Sequence, residues 1–397
     1  MVRARATLMA LLVALIVALG CGLVVARSVT VGESQLDGYP QRIGFDRPSD
    51  RLPSRPGVLA ATLYDNDFGN GRQLGVTSSG HLWELPLGTT ALSPDGRLLL
   101  TVTETESGVG SHLQVRDLVG GTRKGFPDIT DSVERDDRAV RYHLNSYGQI
   151  YWSPDSGKVV AEFGESPRRH AFRSRVLDVR TGTLESVGRG QPAGFRTPSK
   201  AVTVRKIGGA SAAGGIVMTT SDLSTGHRSH VALRLTSPWV GDRDQNLTAN
   251  LSPDGDTLLL IEIPKGTPET GRLRLFSTSD GVEEAPRSID HLDIGHNCPP
   301  EWLRGDPVLP AKRQAAGAVL VTATNTKPLV AVHYRMQSSC LHVVADALNA
   351  GPNRALFGTS TSWWTWYWKP FMVLSLLLLM SLAYWGWRRR YGARTPS

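Results

Sequence analysis

Leu92-Ser93-Pro94-Asp95-Gly96 runs directly into Arg97-Leu98-Leu99-Leu100-Thr101-Val102. The same order returns at Trp152-Ser153-Pro154-Asp155 before Lys158-Val159-Val160-Ala161-Glu162-Phe163, and at Leu251-Ser252-Pro253-Asp254-Gly255 before Thr257-Leu258-Leu259-Leu260-Ile261-Glu262. Proline sets φ at the start of a turn, aspartate supplies a side-chain acceptor, and glycine accepts φ > 0. The residues behind each turn are β-branched or leucine, which suits a strand buried on both faces. In the second copy Ser156 takes the glycine's place, with Gly157 one position later.

A further strand follows across a variable loop: Leu113-Gln114-Val115-Arg116-Asp117-Leu118, Arg175-Val176-Leu177-Asp178-Val179 and Leu273-Arg274-Leu275-Phe276. Its partial alternation predicts a half-exposed strand. It ends in a second recurring turn, at Asp117-Leu118-Val119-Gly120-Gly121, Asp178-Val179-Arg180-Thr181-Gly182 and Asp222-Leu223-Ser224-Thr225-Gly226. The Ser-Pro-Asp turns are 60 and then 99 residues apart. The longer step is about twice the ~40–50 residues of a propeller blade. One unit is therefore hidden between residues 190 and 245, its opening turn reduced to Thr197-Pro198-Ser199-Lys200.

These residues resemble the WD40-like, or TolB-like, β-propeller repeat, over roughly residues 57–350. In that family a Ser-Pro-Asp-Gly turn opens a strand and the next strand ends in an Asp-Leu-x-x-Gly-type turn. The resemblance implies an all-β chain, a β-propeller of about six blades within a range of five to seven. Units fall near residues 57–90, 91–125, 146–190, 190–245, 246–290 and 295–350. A ring lets every blade bury both faces against neighbours and leaves only short edges exposed. A pair of smaller β-domains is the alternative. Ser93, Pro94, Asp95, Gly96, Ser153, Pro154, Asp155, Ser252, Pro253, Asp254 and Gly255 carry over as turn formers, not as chemistry.

The ends of the chain read differently. Residues 6–26 run without a charge behind Arg3 and Arg5. At about 1.5 Å per residue, a helix of that length covers the roughly 30 Å hydrocarbon core. Residues 1–27 are thus a signal anchor, or a signal peptide cut after Ala26. Acylation at Cys21 fits less well, because apolar residues continue beyond it. Residues 28–56 are polar and Pro/Gly-rich, an extended linker that tethers or wraps the fold.

At the other end, residues 351–369 form a juxtamembrane aromatic segment, with Trp363-Trp364-Thr365-Trp366-Tyr367-Trp368 inside it. Residues 370–387 are an apolar transmembrane helix, and 388–397 are a basic tail opening on Arg388-Arg389-Arg390. Aromatic residues at both ends and a one-sided basic cluster put the tail in the cytoplasm and the middle of the chain outside. The expected location is the cell membrane, with the bulk extracytoplasmic.

The net charge of +8 argues for this address rather than for nucleic acid. Arg3, Arg5, Arg388, Arg389, Arg390 and Arg394 carry most of the excess, and no acid accompanies them in residues 1–26 or 371–397. The middle is close to neutral, unlike a phosphate-binding surface. Arginine outnumbers lysine 36 to 8, a mark of GC-rich coding. With the resemblance, it implies a bacterial envelope protein of actinobacterial type.

Tests for chemistry return little. There is no Gly-x-Ser-x-Gly elbow and no Gly-x-x-x-x-Gly-Lys loop. Asp65-Asn66-Asp67-Phe68-Gly69-Asn70-Gly71 lacks the closing acid of a calcium loop. The insertion Pro127–Tyr147 and the basic run around Arg168, Arg169 and His170 read as solvated loops. His291 and His296 are weak metal candidates beside Cys298. Cys298 and Cys340 read more readily as a disulfide across a loop of about forty residues, in a compartment that permits one. No catalytic residue, cofactor or metal is assigned.

The expected function is a protein- or ligand-binding, scaffolding module of the cell envelope. Its partners are the bilayer and another envelope or membrane protein, with no nucleic acid. The alternative is an envelope enzyme, a hydrolase or lyase, with its site in the central funnel.

Overall fold

Six sheets carry the fold, each with a core of antiparallel strands. A computed structural model describes residues 35–353 apart from 45–49, 66–71, 87–89, 105–110, 131–141, 146–147, 166–171, 208–214, 238, 240–246, 263–269, 285–286, 291–299, 311–315, 323–325 and 334–338. Blade 2 shows the plan: Thr90–Leu92, Leu98–Glu104, Ser111–Asp117 and Arg123–Phe126. Blades 4, 5 and 6 repeat it from Gln191, Thr248 and Glu301 onward.

Blade 1 is completed from the far end of the chain. Ser339–Val343 supplies its inner strand and pairs antiparallel with Ala61–Asp65. The sixth unit therefore stops before residue 339, and the stretch expected to end it closes the ring instead. Two short strands from the leading segment, Arg42–Gly44 and Asp50–Arg51, add in parallel to the outer edges of blades 6 and 1.

The core lies between the sheets. Blades 2 and 3 share one apolar cluster, 3 and 4 another, 4 and 5 a third, and 5 and 6 a fourth. The cluster around Leu59, Leu63, Leu99 and Val308 joins blade 1 to both of its neighbours. Each interface is thus filled, and the six sheets close into a propeller. This accounts for the second strand of each blade: Leu258, Leu259 and Leu260 all have 0 % exposure.

It also overturns one expectation. The following strand, expected to be half exposed, buries Gln114, Arg116, Arg175 and Arg274. Neighbouring blades cover both of its faces, so alternation marks which neighbour a side chain meets, not whether it meets water.

The Ser-Pro-Asp stretch joins the first strand of a blade to the second, after a short strand that pattern alone does not reveal. Ser93 Oγ donates to Asp95 Oδ1 at 2.5 Å and accepts the Leu98 amide at 2.8 Å. Ser153–Asp155 and Ser252–Asp254 repeat the bond at 2.6 and 2.5 Å. The second recurring turn lies beside it. Leu118 N donates to Arg97 O at 2.9 Å, Val179 N to Gly157 O at 3.1 Å, and Leu223 N to Ser199 O at 2.7 Å. One end of the propeller, the turn face, is therefore a set of stitched turns. Leu98–Glu104, Lys200–Ile207 and Thr257–Glu262 run from the turn face to the other end.

Among the described residues, no helix is long and apolar enough to cross a membrane. The apolar segments expected within 1–27 and 370–387 lie outside the described residues.

Candidate functional site

Strand register brings one residue from each blade to the same level around the axis. Ala91 pairs with Leu100, Tyr151 with Val160, Gly194 with Val202 and Asn250 with Leu259. Glu301 pairs with Val308 and His342 with Thr62. In blades 2 and 5 that residue stands two places before the turn serine, as Tyr151 does in blade 3.

This layer is tied from blade to blade. The Tyr151 hydroxyl donates to the Ala249 carbonyl, reaching from blade 3 to blade 5. Gly194, the blade 4 member, has no side chain to stand in its way. Asn250 Nδ2 donates to the Pro300 carbonyl, linking blade 5 to the start of blade 6. Glu301 Oε1 and His342 Nε2 meet at 2.6 Å, linking blade 6 to blade 1. Trp152 Nε1, one residue along, donates to Ala91 O at 3.3 Å and joins blade 3 to blade 2.

Electrostatics set the roles. Burial pushes the Tyr151 phenol well above its ordinary pKa, and the nearby Glu301 carboxylate pushes the same way. Tyr151 therefore stays protonated and serves as a donor. The Glu301 and His342 side chains keep 21 and 13 % exposure, so water reaches this pair. A carboxylate–imidazole pair at such a distance can hold one shared proton or accept a polar ligand group.

Blade 3 departs from the plan at this level. Its inner position is split between Tyr142–Leu144 and Tyr151–Trp152, both paired to Lys158–Glu165. In the gap Asn145 Nδ2 donates to Glu162 Oε2 at 2.7 Å. Burial raises the Glu162 pKa, and the Asn145 bond offsets part of that rise.

A second polar cluster is sealed between blades 4 and 5. Arg274 Nε donates to Glu262 Oε2 and its Nη1 to Glu283 Oε1, each at 2.8 Å, with every side chain at 0 % exposure. Ser237 adds its carbonyl and hydroxyl, and the Trp239 ring lies 5.6 Å from the guanidinium. With all three charged side chains at 0 % exposure and paired to one another, the cluster reads as a structural rivet.

The residues singled out by sequence fall elsewhere. Ser93, Ser153, Ser252 and their aspartates sit in the stitched turns and spend their polar atoms there. His291, His296 and Cys298 lie outside the described residues. Cys340 is in the inner strand of blade 1, opposite Tyr64. Among the described residues no group of three or more His, Cys, Asp and Glu could hold a metal ion. The axial layer escaped sequence reading because its members share no residue type. Counting two places back from each turn serine finds Ala91, Tyr151 and Asn250 only.

No family model matches the sequence, and no curated protein matches it. Solved structures are similar in fold. TolB from Acinetobacter baumannii is 14 % identical, with a TM-score of 0.48 over 74 % of this chain and 67 % of that one. An oligogalacturonate lyase in complex with manganese is 13 % identical, with a TM-score of 0.41 over 73 and 78 %. The β-propeller domain of the Trilobed protease from Pyrococcus furiosus is 12 % identical, with a TM-score of 0.41 over 71 and 82 %. At such identities the likeness is one of fold alone, and the chemistry has to be read from the residues.

Proposed function

We propose that this propeller is a binding or scaffolding module of a bacterial cell envelope, held at the membrane with its blades outside the cytoplasm. The observation that carries the binding reading is the closed axial layer. Tyr151, Asn250, Glu301 and His342 each direct a polar atom at another blade. A catalytic funnel needs several such groups turned toward a substrate and free to react. The uncharged run at residues 6–26, and the aromatic-flanked apolar run before Arg388-Arg389-Arg390, support the membrane attachment. The expected partner is another envelope or membrane protein.

A second reading keeps one foothold. Glu301 and His342 remain partly exposed, and a carboxylate beside an imidazole is a common acid–base pair. Under that reading the protein is an envelope hydrolase or lyase that works at the mouth of the ring.

Cross-linking in intact cells, followed by identification of what is captured, separates the two. The binding module yields one envelope or membrane protein reproducibly, and Glu301→Gln leaves the yield unchanged. Turnover of a polysaccharide or peptide substrate that disappears in Glu301→Gln would replace this reading with the enzyme. Protease added to spheroplasts tests the address: the blades should be cut while the tail after Arg390 is spared.

A further inference from the structure

The two ends of the described chain meet at one spot. Asp37 N donates to Ser78 Oγ at 3.3 Å, and Asn353 Nδ2 donates to the Ser78 carbonyl at 3.1 Å. Tyr39 N donates to Gly351 O at 3.1 Å, and Asn353 N returns a bond to Tyr39 O at 2.8 Å. The fit is close: a Cβ on Gly38, at φ +98°, would lie 2.1 Å from the Gly351 carbonyl oxygen. The incoming and outgoing segments are thus clasped together.

The clasp belongs to the turn face. Ser78 sits in the turn after Arg72–Val76, at the same end of blade 1 as Ala60 and Ala61. The helix Ala345–Ala350 leads into the clasp, and Asp346 N donates to Pro94 O at 3.1 Å, within the first Ser-Pro-Asp turn.

From the clasp, residues 27–35 lead back to the apolar run ending at Ala26, and 354–369 lead on to the apolar run after Pro370. A residue advances at most about 3.3–3.6 Å, so the leading stretch reaches no further than ~40 Å and the trailing one ~60 Å. The second strand of blade 4, Lys200–Ile207, is about 25 Å long at 3.3 Å per residue. Reaching a bilayer on the far side means passing that height and the radius of the ring as well. The leading stretch is too short for that, and the trailing one would have to lie flat along the blades.

We propose that the turn face is the membrane-proximal face of this propeller, and that the opposite end points away from the bilayer. The proposal rests on the membrane attachment argued above, with residues 6–26 kept as an anchor. It also gives the clasp a mechanical purpose. Tension between the two tethers falls on the Tyr39–Asn353 bonds before it reaches Ser339–Val343, the strand whose loss would open the ring.

The test uses the full chain in lipid vesicles that carry an acceptor dye. A donor is placed through an azidophenylalanine at Thr225, on the turn face, or at Ile207, at the opposite end of the same blade; both positions are exposed. Energy transfer to the lipid should be several-fold greater from Thr225. Ser224 and Arg205, also exposed, replace either position if its variant does not fold. Equal transfer, or greater transfer from Ile207, in a protein that floats with the vesicles overturns the orientation and leaves the attachment standing. A protein that does not float with the vesicles sinks both.

Discussion

Glu301 and His342 meet at 2.6 Å across the seam where the last blade joins the first. Ser339–Val343 carries the chain from blade 6 into blade 1 by backbone pairing, and this contact adds a side-chain tie across the same seam. A hydrogen bond to a charged partner contributes roughly 1.5–3 kcal/mol when dry, and less where water reaches it. Glu301→Ala and His342→Ala should each lower the urea midpoint. The double variant should be no worse than the poorer single, with a coupling of about 1 kcal/mol. Additive losses would mean that the two side chains are neighbours without being a tie.

Arg274 poses a different question, because one guanidinium faces two carboxylates with no water between them. Removing one partner of a buried ion pair typically costs about 3–5 kcal/mol, since the charge left behind has no solvent. Arg274→Met should therefore be among the most destabilising substitutions in blade 5. Adding Glu262→Gln and Glu283→Gln should recover part of the loss, because the stranded charges go with them. Denaturant unfolding decides the matter: no recovery in the triple variant would show that the packing around Trp239, not charge, carries the cost.

How far sequence reached is visible in these two cases. The turns were legible, since Ser93, Pro94 and Asp95 act through local bonds and keep their order in each copy. Blade 4 was placed by spacing, although only Pro198 and Ser199 remain of its opening turn. The ring closure by residues 339–343 was not legible, because strand pairing over such a separation leaves no local pattern. The axial layer was invisible for the same reason. Glycine, tyrosine, asparagine and glutamate in equivalent positions are related only by register, which the chain acquires on folding.

Ser156 offers a local test of the turn. It holds φ +55° where the first and third copies have Gly96 at +68° and Gly255 at +76°. A left-handed conformation costs an L-residue roughly 1–2 kcal/mol, and glycine returns part of that through unfolded-state entropy. Ser156→Gly should accordingly raise stability by up to about 1 kcal/mol. Gly96→Ala should do the reverse and more, because its Cβ would lie 2.1 Å from the Leu59 carbonyl oxygen. Thermal melts of both variants check the sign; a destabilised Ser156→Gly would show that the serine side chain makes up for its backbone strain.

Acid should unfold the propeller through its turns. The Arg97 pair, then the amides of Gly120 and Val119, hold Asp117 below the usual carboxylate range despite some burial. The Ser252 hydroxyl, then the Asp256 amide, do the same for Asp254. At Asp155 burial pushes upward, but the Ser153 hydroxyl and the Gly157 amide outweigh it. A carboxyl whose folded pKa lies below its unfolded value of about 3.9 stabilises the fold above that value. The contribution is lost as pH falls through the folded pKa. Glu162 runs the other way: burial raises its pKa, so its charged form opposes folding and protonation relieves it. Urea midpoints should then fall steeply below about pH 4, where the turn carboxylates take up protons. Asp117→Asn combined with Asp254→Asn should be less stable at pH 7 and less sensitive to acid. Glu162→Gln should be more stable than the parent at pH 7, with the gap closing as the parent's carboxyl protonates. An acid limb of unchanged steepness in the double asparagine variant would show that acid acts somewhere other than the stitched turns.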